Sequence, residues 1–493
     1  MQSSPLAPAP DSQTLDQLSP VNNSQRIQVL DLLRGFALIG IIFMNIEWFN
    51  RPINDLLSFD YQQTGLDWAA SWLVKVFIEG KFYKLFSLLF GMGFAVMLLR
   101  AQEVGRPFGA WFTRRMLALF IFGMCHLIFL WGGDILHDYA FAGLMLLGFV
   151  LLLRTKRFSK HNHPNTFLKF GVWVIVFPLL ISVIASIYFG VTRTNQVMTD
   201  DWLQRQTIIQ QSNEQFAALK AQPDFLIEDE KPKEPLVNEE SDEIDIDNMT
   251  PEELVEYKVD KRVERKLEQE RSKLAETQAF TQSSYIEATK FRAKESLEKL
   301  AVTPIFATFI CLPLFMIGYW LVASKRIAKP ELYPAFFNIL AWGGLTIGII
   351  FNISGTYLTL HPAAKGAVEI KSIGDTLLFY GQLIMAAGYV GLFVKLASKT
   401  TFLKYFSWLS PLGKMALTNY ITHSIILTSI FYGYAGGMFG QIARAEQMLI
   451  VIAIIFCQVF FCKFWLSHFR FGPLEWLWRS MTYMKLQPLR INQ

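Results

Sequence analysis

Ten apolar runs, each about 20 residues long, govern what this chain can become. They fall near 28–49, 80–100, 113–135, 137–154, 167–190, 302–323, 333–353, 374–397, 412–434 and 446–467. A segment in hydrocarbon must satisfy its own backbone groups, so runs of this length predict membrane-crossing helices. The expected fold class is therefore an all-α polytopic membrane protein of about ten transmembrane helices. Composition agrees, because 52% hydrophobic against 18% charged leaves little for a water-facing surface. The third and fourth runs are joined by almost nothing, predicting a helical hairpin around Gly132, Gly133 and Asp134. Residues 67–78 read as an interfacial helix with Trp68 and Trp72 at headgroup level. No discontinuous helix is evident, beyond the hint of Gly343 and Gly344 in the seventh run.

Charge then orients the bundle. Residues 191–301 hold 16 Lys and Arg against 25 Asp and Glu, and the rest of the chain holds 30 against 16. The basic residues gather after every even-numbered run, as at Arg100, Arg154, Lys325, Lys399 and Arg470. That pattern places both termini in the cytoplasm, with Arg51 and Lys75 as departures from it. Scattered in short loops, these charges point to membrane orientation, and no nucleic-acid partner is expected. Residues 1–27 are Pro- and Ser-rich without an apolar core, hence a disordered cytoplasmic tail and not a cleavable signal peptide. Helices one to five occupy 28–190, an acidic extracytoplasmic insertion 191–301, helices six to ten 302–467, and a cytoplasmic interfacial tail 468–493. Within the insertion, low apolar content predicts disorder in the first half, and Thr250 with Pro251 opens a solvated helix in the second. That helix is either a spacer or a partner-binding arm. The four cysteines lie in apolar runs without ligand spacing, so no metal and no disulfide framework are expected.

Ionisable groups inside spans are costly, which makes them the candidates for chemistry. In the first run Asp31 and Arg34 are helical neighbours, able to pair with each other or to present the guanidinium to a phosphate or carboxylate. Asn45 is the next polar group on nearly the same face. In the hairpin, His126 and Asp134 stand eight residues apart, about two turns on one face, and His137 follows. An imidazole held by a carboxylate is a candidate general base; the alternative is a helix cap and an interhelical hydrogen bond. In the ninth run Asn419, Tyr420 and His423 either line a cavity or bond neighbouring helices. Lys81 and Lys84 stand at the outer boundary, where they snorkel, with Lys81 alternatively a ligand residue, and Gly91 and Gly93 read as close-packing positions.

Several of these stretches together resemble one family. The opening RIQVLDLLRGFALIGIIFMNI, then GKFYKLFSLLFGMGFA, LWGGDIL, and the closing pair GKMALTNYITHS and FRFGPLEWLWRS are similar to the YeiB-like bacterial inner-membrane proteins, the domain of unknown function 418. The resemblance covers about 26–486 and implies a multi-pass protein of the bacterial inner membrane. The LDxLRG opening is distantly similar to that of transmembrane acyltransferases, namely the acyltransferase-3 proteins and the heparan glucosaminide N-acetyltransferase. Where the acyltransferase-3 pattern has a histidine, this chain has Asn45, and residues 46–80 contain no histidine. The base implied is therefore His126 with Asp134.

The resemblance implies transfer of an acyl group from a cytoplasmic acyl-CoA to a cell-envelope sugar or lipid-linked acceptor. Arg34 would hold the donor's phosphate or thioester oxygen, with Asp31, Asn45, Lys81, Asn419, Tyr420 and His423 as further binding candidates. The other classes open to the same residues are a small-molecule transporter and a non-catalytic envelope assembly protein. Membrane lipids are the expected surroundings.

Overall fold

A computed structural model of the chain describes residues 28–52, 63–192, 195–222, 249–360 and 368–491. The tail 1–27 and the acidic stretch 223–248, both expected to be disordered, lie outside the described residues. Among the described residues nine helical stretches are long and apolar enough to cross a membrane, and no strand is present beyond one isolated bridge between Phe469 and Arg490. The protein is a multi-pass all-α membrane protein.

The helices run α1 Gln28–Asn50, α2 Gly65–Leu73, α3 Phe82–Glu103, α4 Gly109–Phe129, α5 Leu136–Arg154 and α6 Pro164–Thr192. The arm follows as α7 Asn195–Lys220, α8 Pro251–Thr281 and α9 Tyr285–Phe306. After it come α10 Leu312–Ala323, α11 Pro334–Asn338, α12 Gly344–Leu360, α13 Val368–Ala397 and α14 Thr400–Phe406. The chain closes with α15 Leu409–Lys414, α16 Ala416–Phe431, α17 Arg444–His468 and α18 Pro473–Tyr483. Helix α1 starts at one face of the bundle, called here the first, and ends at the second.

Local sequence explains most of these boundaries. Thr250 and Glu253 close a capping box before Pro251, and Ser284 with Glu287 close another at the start of α9. Pro304 lacks the amide hydrogen that its turn needs, and the helix widens into a π turn over Ala307–Cys311 before resuming as α10. The result is one helical stretch, Tyr285–Ala323, that continues without a break across the boundary expected between residues 301 and 302. Gly80, at φ +76°, separates the expected interfacial helix from α3.

Two expectations are corrected. The third run ends as a helix at Phe129 instead of near 135, since the chain turns through Trp131 to Ile135 before α5. The ninth run is not one helix: it breaks at Met415, whose φ −110° and ψ 36° lie outside the helical range, into α15 and α16. Neither piece is long enough to span a bilayer alone.

Lipid offers helices little hydrophobic reason to associate, so small residues that let backbones meet supply packing energy instead. A Cβ on Gly35 would strike the carbonyl of Leu409, and one on Gly413 the carbonyl of Asp31, so α1 and α15 touch backbone to backbone. Gly91 and Gly318 do the same for α3 and α10. At the second face an aromatic layer ties the arm to the bundle: Phe49 stacks on Trp131 at 4.3 Å, and Phe280 of α8 on Tyr432 at 4.4 Å. The outward faces of α6 and α17 keep Ile184 and Phe456 exposed, at 65% and 63%, as a lipid-facing surface requires.

Candidate functional site

A cavity of about 200 Å³ opens between α1, α3, α4, α5, α15, α16 and α18. Its mouth lies toward the first face and is basic: Arg34, Arg115, Lys414 and Arg479 line it, with Glu475 and Trp478 beside them. Arg115 lays its guanidinium 3.5 Å from the Trp478 ring centre, and Arg34 meets Asp31 at 3.4 Å. Gly93 faces that guanidinium, with Arg34 Nη2 only 3.1 Å from where a Cβ would be. Gly93 is therefore not a helix-packing glycine; it leaves room for Arg34. Beyond the mouth the walls are apolar, and from Phe86 to Met97 they follow about 16 Å of α3. The inner end is formed by Ile135, Leu136, Tyr139 and Tyr420, beneath the hairpin of the second face.

Behind Tyr420 stands His126, with ring centres 5.0 Å apart. Its Nδ1 is 2.8 Å from Asp134 Oδ1, and its Nε2 is 2.7 Å from Ser424 Oγ. The other carboxylate oxygen, Asp134 Oδ2, accepts from the His137 backbone N–H at 3.0 Å and lies 2.7 Å from His137 Nδ1. Both side chains of the His126–Asp134 pair are fully buried. The eight-residue spacing is not a helical periodicity, because α4 stops at Phe129; Asp134 reaches His126 because the chain doubles back. Gly123 makes room for this return, since a Cβ there would lie 2.5 Å from the His137 nitrogen and 2.8 Å from Asp134 Oδ2.

Helix α18 fixes the mouth through a cap supplied from outside the helix being capped. Glu475 Oε1 accepts from Leu417 N at 2.6 Å and Thr418 N at 3.0 Å, and Thr418 Oγ1 donates to Oε2 at 2.6 Å. These are amides at the start of α16, where a carboxylate is favoured. Thr418 Oγ1 accepts in return from Leu474 N at 3.1 Å. Burial pushes the Glu475 carboxyl above the ordinary range, and the Thr418 and Leu417 bonds oppose that rise.

The remaining candidates lie elsewhere. Asn419 donates to the Leu412 carbonyl at 3.1 Å and meets Cys462, and His423 Nε2 is 2.7 Å from Gln458 Oε1, so both face α17. Lys81 donates to the Lys75 carbonyl at 2.7 Å, and Lys84 to Gln382, away from the cavity. Asn45 is buried in α1 and does not line the cavity. Ser424, in i,i+4 relation to Tyr420, and the cavity-lining Arg115 and Arg479 are not among the candidates the sequence singles out.

Comparison with known proteins places these features in a family. The family described as protein of unknown function (DUF418) matches residues 321–485. The uncharacterized protein YxaH of Bacillus subtilis is 30% identical over 483 residues, covering 96% of this chain and 98% of that protein. The chain belongs to the DUF418 family. Two further relatives match over nearly their whole length: an uncharacterized 39.9 kDa protein of Bacillus acidopullulyticus at 24% identity, covering 97% of this chain and 99% of that one, and the uncharacterized protein YeiB of Escherichia coli at 22%, covering 94% and 98%. No solved structure matches. In this DUF418 chain the matched segment contains Lys414, Tyr420, Ser424, Glu475 and Arg479, whereas Arg34, Arg115, His126 and Asp134 come from outside it.

Proposed function

We propose that this chain is a membrane acyltransferase that takes an acyl group from a cytoplasmic acyl-CoA and delivers it to an envelope sugar or lipid-linked acceptor. One observation carries the reading: a single cavity begins among four cationic side chains and ends against the aromatic ring that contacts His126. An acyl-CoA has the matching form, with an anionic nucleotide at one end and a slender neutral arm carrying the thioester at the other. The guanidinium groups of Arg34, Arg115 and Arg479 suit its phosphates, and Trp478 offers a flat surface beside them. His126, oriented by Asp134, has the arrangement of a general base. The mouth faces the cytoplasm in an inner-membrane orientation with both termini inside, as the basic loops support.

The test is calorimetry of acetyl-CoA with the purified chain in nanodiscs, followed by transfer of labelled acetyl groups to membrane glycolipid extracts. Arg34→Ala is expected to weaken donor binding by about tenfold or more, and His126→Ala to leave it in place while abolishing transfer. A folded wild-type chain that binds no acyl-CoA would sink the proposal. One feature favours transport instead, the break at Met415, since interrupted helices mark many transporter sites. Gradient-driven flux indifferent to acyl-CoA would decide for it.

A further inference from the structure

We propose that Ser424 is a catalytic nucleophile that carries the acyl group as an ester before the acceptor receives it. This rests on the acyltransferase reading and adds a covalent intermediate to it. Ser424 Oγ, His126 Nε2, His126 Nδ1 and Asp134 Oδ1 form one line of hydrogen bonds, 2.7 Å at the serine and 2.8 Å at the carboxylate. That order of groups, hydroxyl, imidazole and carboxylate, is what a serine nucleophile needs: a base to take its proton and an acid residue to fix the ring.

The behaviour of neighbouring hydroxyls sets Ser424 apart. Inside a helix a serine or threonine ordinarily turns back onto the carbonyl of its own preceding turn. Thr422 donates to Thr418 O, Thr428 to Ser424 O and Ser429 to Ile425 O, all in α16. Ser424 instead bonds across to His126 of α4. It is 2% exposed and stands one turn from Tyr420, which lines the inner end of the cavity. His126 cannot address an acceptor through Nε2 while that nitrogen holds Ser424, so the first group it activates is the serine.

The chemistry balances without another reactant. Ser424 Oγ attacks the thioester carbonyl as His126 Nε2 takes the hydroxyl proton; the carbon–sulfur bond breaks, and the proton passes from His126 to the departing thiolate. In the second half the acceptor's hydroxyl attacks the seryl ester, His126 takes its proton, and that proton returns to Ser424 Oγ as the ester bond breaks. Asp134 and His137 are positioning residues, the second bonding the carboxylate oxygen that His126 does not use.

The experiment uses the full chain in nanodiscs with radiolabelled acetyl-CoA and no acceptor, quenched in acid and digested for mass spectrometry. The expected result is one acetyl group on the peptide containing Ser424, released by hydroxylamine and absent from Ser424→Ala and His126→Ala. Transfer by Ser424→Ala is expected to fall by about 10²–10⁴-fold with acetyl-CoA affinity unchanged. Ser424→Cys, which preserves the fold and a nucleophile, is expected to collect the label as a thioester. Transfer by a folded Ser424→Ala at the wild-type rate overturns the intermediate while leaving the acyltransferase reading intact. Failure of the wild type to bind acetyl-CoA overturns both.

Discussion

Gly93 sets the tolerance of the basic mouth, because among the described residues an added Cβ would meet, beyond its own stretch of helix, Arg34 Nη2 alone within 4 Å. Gly93→Ala is expected to shift the guanidinium by a few tenths of an ångström and weaken acyl-CoA binding by about threefold to tenfold, with thermal stability unchanged. Calorimetry checks the first part and a melting curve the second; unchanged affinity would separate Arg34 from the donor. Gly123→Ala is the harsher change, since the Cβ meets the His137 backbone as well as Asp134. It is expected to lower the melting temperature and transfer together. How far such detail was legible depends on the kind of contact. Arg34 and His126 stood out as charges or titratable groups in apolar runs, and their chemistry could be named. That Arg34 lines a cavity whose inner wall, Tyr420, touches His126 could not be read, because the cavity depends on α18 packing beside α4 through Trp478 and the Arg115 carbonyl. Ser424 was invisible as a lone serine; only its hydrogen bond to His126 across the helix gap singles it out.

At the scale of elements, the two closing motifs of the sequence are halves of one joint. GKMALTN supplies the unbonded amides at the start of α16, and GPLEW supplies the carboxylate that takes them. Glu475→Ala leaves Leu417 N and Thr418 N without that acceptor and is expected to cost about 1–3 kcal/mol, read as a lower midpoint in thermal unfolding. Glu475→Gln, which keeps one acceptor oxygen, should lose less. The break at Met415 that creates this joint was not legible, since residues 412–434 read as one run long enough to span a bilayer; the competing influence was the external cap, which lets a helix begin inside the run. The arm carries the opposite case, two capping boxes written openly in the sequence. The Thr250 hydroxyl holds the Glu253 carboxyl below its ordinary 4.5, and the Ser284 backbone amide does the same for Glu287. A carboxyl lowered by folding stabilises above its unfolded value and stops doing so as pH falls through the lowered one. Amide exchange in the first turns of α8 and α9, corrected for intrinsic rate, should therefore quicken once the pH drops well below 4.5.

Across the whole molecule the arm is bonded to the membrane bundle at the corner that follows α4. Arg292 of α9 is 1% exposed and donates to the carbonyls of Ile128 and Phe129, the open end of α4, at 3.0 and 3.3 Å. Tyr285 adds a bond to Phe129 O at 2.8 Å. The corner that carries Asp134 is thus held from the arm. Arg292→Met is expected to destabilise by about 1–3 kcal/mol and, on the proposed function, to slow transfer more than it weakens acyl-CoA binding, because the basic mouth lies at the other face. Equal losses in both would show that the corner and the mouth are not independent. The membrane class of the fold was plain from ten apolar runs, yet this coupling was not, for it depends on Pro304 and the π turn leaving the Tyr285–Ala323 stretch continuous. The position of α18 has one more consequence, for the order of events during synthesis. Glu475, Trp478 and Arg479 stand last in chain order among the residues that line the cavity. On the proposed function, a nascent chain would lack its donor site until α18 had been made and docked, so timing alone would hold back premature activity.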